Sequence, residues 1–256
     1  MINIKQVIDT PREILLVKNL NKSYAQTKVL TDVSFAINEG TTTSIIGSNG
    51  SGKSTLLRTL LRLIEPDSGE IHFLDRDITK IKKKELRKVR SQVGFVFQKH
   101  NLVPKLSVLS NVMHGKLSEK KGPRYWYESL APKQCREEAM ESLRAVGLED
   151  FAKRKTTDIS GGQSQRVAIA RALMQKPKII FADEPVASLD PKNGEKIMEL
   201  FYNLAKEKNI TLIFVSHNVD HALNYSDRVI ALNRGVINID KDSKSCTKDA
   251  IGCIYE

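Results

Sequence analysis

The chain is constrained most tightly by one octet, Gly47-Ser48-Asn49-Gly50-Ser51-Gly52-Lys53-Ser54. It fits the spacing G-x-x-x-x-G-K-[ST], in which glycines let a loop wrap until its backbone N–H groups point inward. A ring of inward N–H groups is a cradle for phosphate oxygens. An apolar run, Thr42 to Ile46, leads into the loop, and Ser54 to Ile64 reads as the helix that leaves it. The helix start near Lys53 adds its positive end to the cradle. In this geometry the Lys53 ammonium faces the β- and γ-phosphates of a nucleotide, and the Ser54 hydroxyl ligates Mg²⁺. Chance produces such an octet about once in a hundred chains of this length, and the flanking strand and helix lower that further.

A second segment supplies what the loop lacks. Residues 178–184 read KIIFADE, an apolar strand that ends in two acids. Acids on a buried strand are costly unless they emerge at its C-terminal end, where α/β sheets bind ligands. Asp183 then orients Mg²⁺, and Glu184 accepts a proton from attacking water. Alone, the pair would read as a solvated strand end; behind a phosphate loop, function is the better reading.

The rest of the chain alternates in the same way. Residues 14–20 and 33–37, the run from Ile71, VGFVF before Gln98, TLIFVS and a last strand near Arg228 to Leu232 read as strands. Helices are expected at 134–146, 167–174 and 195–206. The alternation implies a mostly parallel sheet with helices on its faces. Between Gln98 and Ile159 strand signals fade, so this stretch reads as a helical subdomain inserted in the α/β core. Hydrophobic residues are 40% and charged residues 28% of the 256, as in an ordinary globular chain. The N-terminus lacks the pattern of a secretory signal, and no run is apolar enough to span a membrane. Forty-one basic against thirty acidic residues leave +11, which suits phosphate ligands, nucleic acid or an anionic surface and selects none of them. Cys135, Cys246 and Cys253 form no C-x-x-C pair, which argues against a disulfide framework or a zinc site.

Residues 159–166 read Ile-Ser-Gly-Gly-Gln-Ser-Gln-Arg. Ser160 and Gln163 have the spacing of a capping box ahead of VAIARALM. Gly161 and Gly162 leave the helix start bare, at about 1 kcal/mol each against alanine, and a bare helix start favours an anion. Here the chain resembles the ABC ATPase family, whose signature is LSGGQ; Ile159 replaces its leucine.

The resemblance runs along nearly the whole chain. It implies a P-loop NTPase core of the ABC ATPase type, with a small N-terminal antiparallel β subdomain and an inserted helical subdomain. On that plan 1–98 and 160–240 form the catalytic core, 99–159 the helical part and 241–256 a short tail. Nucleotide would be held by Gly47 through Ser54, Thr55, Gln98 and Tyr24, whose ring would stack on adenine. Mg²⁺ would be held by Ser54, Gln98 and Asp183. Glu184 and His217 would be catalytic. Ser160, Gly161, Gly162 and Gln163 would cap the γ-phosphate of ATP bound to a second copy, in a head-to-tail homodimer. Ser188 and Asp190 would belong to the loop between the two sites. Taken singly, Tyr24 is a packing residue, Gln98 a surface residue and His217 a structural histidine; their order along the chain favours the shared site. His72, His100, His114 and His221 take no role.

ATP and Mg²⁺ are thus the expected cofactors. GFVFQKHNLVPKLSVLSNVMHGKL (94–117), PRYWYESL (123–130) and DEPVASLDP (183–191) look like the phosphonate-importer branch, which implies phosphonate or a related anion such as phosphite as cargo. Integral membrane permease subunits would be direct partners, a periplasmic or extracellular binding protein an indirect one, and the cytoplasmic face of the membrane the location. Nucleic acid is not an expected partner. Alternatives are another importer, an exporter, or a non-transport ABC ATPase; the last usually carries two ATPase domains or a long coiled coil. The aromatics Tyr125, Trp126 and Tyr127 either pack within the helical subdomain or contact the permease. The final residues, INIDKDSKSCTKDAIGCIYE, depart from the branch.

Overall fold

A computed structural model describes residues 12–118 and 125–252. The first eleven residues, Pro123 and Arg124 of the aromatic segment, and Cys253 lie outside the described residues.

In chain order, β1 (Glu13–Tyr24) and β2 (Thr27–Asn38) form a hairpin, and β3 (Thr42–Ile46) leads into α1 (Lys53–Leu60). β4 (Ser68–Phe73) and β5 (Arg76–Asp77) precede α2 (Lys83–Arg90) and β6 (Val93–Val96). Then come α3 (Val108–Met113), α4 (Lys133–Ala145), α5 (Gly161–Leu173), β7 (Ile179–Asp183) and α6 (Pro191–Glu207). β8 (Thr211–Val215), α7 (Val219–Asn224), β9 (Arg228–Asn233), β10 (Val236–Asp242) and α8 (Lys248–Gly252) close the chain.

Two sheets result. The first is antiparallel, in the order β2-β1-β4-β5. The second has the order β10-β9-β3-β8-β7-β6, parallel except where β10 pairs β9. Every residue of β3, β7 and β8 is buried, because helices or the other sheet cover both faces. That is why β7 and β8 read as near-continuous apolar runs, whereas β3 buries Thr42, Thr43 and Ser44 ahead of Ile45 and Ile46.

One core lies between the second sheet and α3, α4, α5 and α6, with Phe201 and Phe214 wholly enclosed. A second joins the two sheets with α1 and α2. A third, smaller core joins Ile46, Ala222, Val229, Ala231 and Ile251. Removing a ring such as Phe201 would cost about 3–5 kcal/mol.

Three expectations need correction. Arg228 to Leu232 is not the last strand: β10 follows it, an edge strand whose mostly exposed residues give no apolar signal. α1 stops at Leu60 rather than Ile64, and Arg62 turns left-handed at φ 50° with its N–H bonded to Thr59. α5 starts at Gly161, six residues ahead of Val167, because its cap fixes the start rather than its apolar run.

Strand order makes the site. β3, β8, β7 and β6 are parallel neighbours, so their C-terminal ends open on one edge. The next residues are Gly47 after β3, Ser216 and His217 after β8, and Glu184 after β7, with Gln98 two residues past β6. Ligands of open α/β sheets bind at such an edge.

Candidate nucleotide site

The loop from Gly47 to Gly52 depends on backbone that side chains would block. Gly47 has φ 150°, and a Cβ there would lie 2.0 Å from the Leu232 carbonyl oxygen. Gly52 has φ 105°, and a Cβ there would lie 2.7 Å from the Val29 carbonyl oxygen on β2. The loop is thus pressed between both sheets. Ser51 fastens it further: its carbonyl accepts from the Gly235 N–H at 3.0 Å, in the β9–β10 turn. Asn49 and Gly50 stand at the exposed tip.

Gly52 brings no capping side chain to α1, so the first turn, Lys53 to Thr55, keeps its N–H groups open to a ligand. Lys53 is 4% exposed, and its Nζ donates to the carbonyls of Gly47 (2.9 Å) and Ser48 (2.8 Å). Burial pushes the Lys53 pKa down, against the pull of Glu184 and Asp183 that raises it. A lysine ammonium beside the open N–H groups of a helix start is the electrostatic complement of a polyphosphate.

Ser54 Oγ donates to Asp183 Oδ1 at 2.7 Å. Two hard oxygens converge there, the donor type Mg²⁺ selects, with phosphate and water free to complete its shell. The pair fits the ion. Arg58, one turn beyond Ser54 on α1, reaches Asp183 Oδ2 at 3.4 Å. The sequence reading missed Arg58, although its i+4 spacing from Ser54 puts both on one helix face.

Glu184 Oε2 lies 3.0 Å from Gln98 Nε2 and 3.0 Å from His217 Nε2. Three residues that lie far apart in sequence meet at one carboxylate oxygen. Glu184 takes φ 51°, in a region costly for a side chain, by about 1–3 kcal/mol, and such strain collects at functional sites. His217 is held by its neighbours: the Ser216 N–H bonds the Ile45 carbonyl, and the Asn218 side chain caps α7.

Other expected residues lie around this centre. Tyr24 ends β1, is 47% exposed, and has Lys22 Nζ 5.5 Å from its ring centroid. It belongs to the β1–β2 hairpin, whose Val29 and Leu30 abut Gly52. Ser160 caps α5: its Oγ accepts from the Gln163 N–H at 3.2 Å, and Gln163 Oε1 accepts from the Ser160 N–H at 2.9 Å. Gly161 and Gly162 face Leu189 and Ile197, so this helix start leans on the segment before α6 and on α6 itself. Ser188 is exposed, and Asp190 caps α6 by accepting from the Asn193 N–H at 3.0 Å. Cys135, on α4, is buried in the first core, and Cys246 packs against the third. Trp126 and Tyr127 are exposed, whereas Tyr125 packs on the first core.

Fold and site together define a P-loop nucleotide hydrolase. The sequence model for ABC transporters matches residues 30–187. A phosphonates import ATP-binding protein from Treponema denticola is 44% identical over 228 residues, covering 89% of each chain. A protein of the same description from Lactiplantibacillus plantarum is 45% identical, covering 88% of each. Among solved structures, a dimeric ATP-binding cassette in a post-hydrolysis state bound to ADP and Pi is 36% identical, with a TM-score of 0.79. That match covers 91% of this chain and all of the other. Part of an ABC transporter complex from Clostridium perfringens is 33% identical, also with a TM-score of 0.79, covering 91% of this chain and 89% of its own. The chain belongs to the ABC transporter family, as one of its ATP-hydrolysing cassettes.

Proposed function

We propose that this chain powers an importer of phosphonate or a related phosphorus oxyanion such as phosphite. The observation that carries the ATPase half is the convergence of Gln98 and His217 on Glu184 beside the Ser54–Asp183 pair. The 44% identity to a phosphonates import protein over 89% of both chains supports the cargo. In this reading the chain works as a homodimer on the cytoplasmic face of a membrane. Permease subunits bind it directly, and an external binding protein delivers the cargo. Among the described residues no helix is long and apolar enough to cross a membrane.

The loop N–H groups of 47–55 and Lys53 hold the phosphates, and Tyr24 takes the base. Ser54, Asp183 and Gln98 would hold Mg²⁺, which when bound would offset charge on the phosphates. Glu184 accepts the proton of the attacking water, and His217 orients both the water and the γ-phosphate. Positioning and charge stabilisation account for most of the rate in such transfers. Ser160 to Gln163 of a second copy cap the γ-phosphate, and the residues around Ser188 and Asp190 join the two sites. Residues 99–159 form the helical part that meets the permease.

The test is uptake. Cells lacking their own importer receive this chain with its chromosomal neighbours, and uptake of phosphonate, phosphite and phosphate is measured in competition. Phosphonate or phosphite uptake that disappears with Glu184→Gln is expected. ATP hydrolysis without uptake of any phosphorus anion would remove the cargo and leave the ATPase.

A further inference from the structure

α7 begins two residues after His217 and has six residues, too few to be stable alone. Its position, and the direction from which His217 approaches Glu184, is therefore set by what grips it. One grip comes from α6. Glu195, in the second turn of that helix, accepts from His221 Nε2 at 3.0 Å and from the Tyr225 hydroxyl at 2.5 Å. The His221 side chain is 9% exposed, and its Nδ1 is buried with no partner, so Glu195 is the ring's one hydrogen-bond partner among the described residues. The other grip is the tail: Ile251 is wholly buried beside Ala222, and Lys248 pairs with Asp220.

α6 carries more than Glu195. Its cap is Asp190, at the end of the exposed Ala187–Ser188 segment. A cavity of about 250 Å³ lies between α6 and α7. Its lining includes Glu184, His217, Leu189, Asp190, Glu195 and His221. The Glu195–His221 bond, with that from Tyr225 at the end of α7, thus links the helix that follows segment 187–190 to the helix that follows His217.

We propose that Glu195 and His221 are a positioning pair that fixes His217 against Glu184 and makes its placement follow segment 187–190. The proposal rests on the ATPase reading above. Neither residue touches the reacting atoms. A displacement of α6 at its start is passed through the Glu195–His221 bond to α7, and from there to His217. The partner of the 187–190 segment, a second copy of this chain, would thereby govern whether His217 is in place.

The experiment uses the full chain and measures kcat and KM for ATP, nucleotide affinity and Tm. The variants are Glu195→Ala, His221→Ala, the double variant and His221→Gln, whose amide keeps an N–H near Nε2. kcat should fall about tenfold in each alanine variant, as small misplacements of reacting groups do, with KM within about twofold. The double variant should fall no further than Glu195→Ala, which by itself already removes the bond to His221 as well as that from Tyr225. His221→Gln should recover most of the rate. Lower Tm with unchanged kcat would make the pair structural only and overturn the proposal, as would losses that multiply in the double variant. If His221→Ala does not fold, Glu195→Ala, whose carboxylate is half exposed, and His221→Gln carry the comparison. Glu184→Gln is measured alongside. If it turns over at the wild-type rate, Glu184 is not the base and the positioning of His217 against it falls too; if it is dead while His221→Ala is normal, only the positioning pair falls.

Discussion

Two helix starts in this molecule face opposite ways in their chemistry. α1 begins at a glycine with no capping side chain, in a loop clamped by both sheets, with Lys53 folded inside. α5 begins at Ser160, whose hydroxyl and Gln163 satisfy each other's backbone N–H groups in a complete capping box. The first start is incomplete without an anion; the second is complete by itself and exposed. Open N–H groups attract phosphate continuously, whereas a capped start has to exchange a bond of its own. On the proposed function, the contrast would let one chain bind nucleotide at 47–55 and leave 160–163 for a contact made only when a second copy arrives.

The strongest blow to this contrast is aimed at the chemistry beside α1. Glu184→Gln should lower turnover by about 10²–10⁴, the usual share of a general base, while nucleotide binding persists. Phosphate release and equilibrium binding read the two separately, and normal release would remove Glu184 as the base. Next comes Lys53→Ala. It should weaken ATP binding by about 10- to 100-fold, the worth of a charged hydrogen bond, as titration of a labelled nucleotide would show. An unchanged affinity would mean that the α1 start is no better an anion site than α5.

Ser160→Ala sharpens the other side. Losing the cap should cost about 1 kcal/mol of stability, or a Tm drop of about 2–4 °C. ATP binding to the single chain should not move, while hydrolysis at high protein concentration should fall. Loss of ATP affinity instead would put 160–163 at the chain's own nucleotide. The smallest effect is expected at Arg58, whose half-exposed contact to Asp183 is worth at most about 1 kcal/mol. Arg58→Ala removes a cation that competes for Asp183 and should lower the Mg²⁺ concentration needed for half-maximal hydrolysis by less than about fivefold.

The phosphate loop was legible because its chemistry is local: eight consecutive residues carry both the turn and the ligands. The Ser160 cap was legible for the same reason. The meeting of Gln98, Glu184 and His217 was not in their spacing. It comes from the order β3-β8-β7-β6, which only the resemblance supplied in advance. Short elements escaped altogether. α7 and α8 have six and five residues, too few to show a helical period, and tertiary contacts at Ala222 and Ile251 hold them. α2 read only as a basic stretch, since Leu86 and Val89 are its buried residues. β10 was hidden because an edge strand with exposed side chains writes no apolar pattern. His221 looked idle because its partner Glu195 lies twenty-six positions away on another helix.

Lys53, closed on two carbonyls of its own loop, has a consequence for ionic strength. A charge buried to 4% exposure is shielded little by dissolved ions. Nucleotide therefore meets a site whose attraction survives in salt, while the +11 carried by the whole chain is largely masked beyond about 8 Å of its surface at physiological ionic strength. In a salty, crowded medium the protein would shed nonspecific polyanions and still keep hold of its nucleotide.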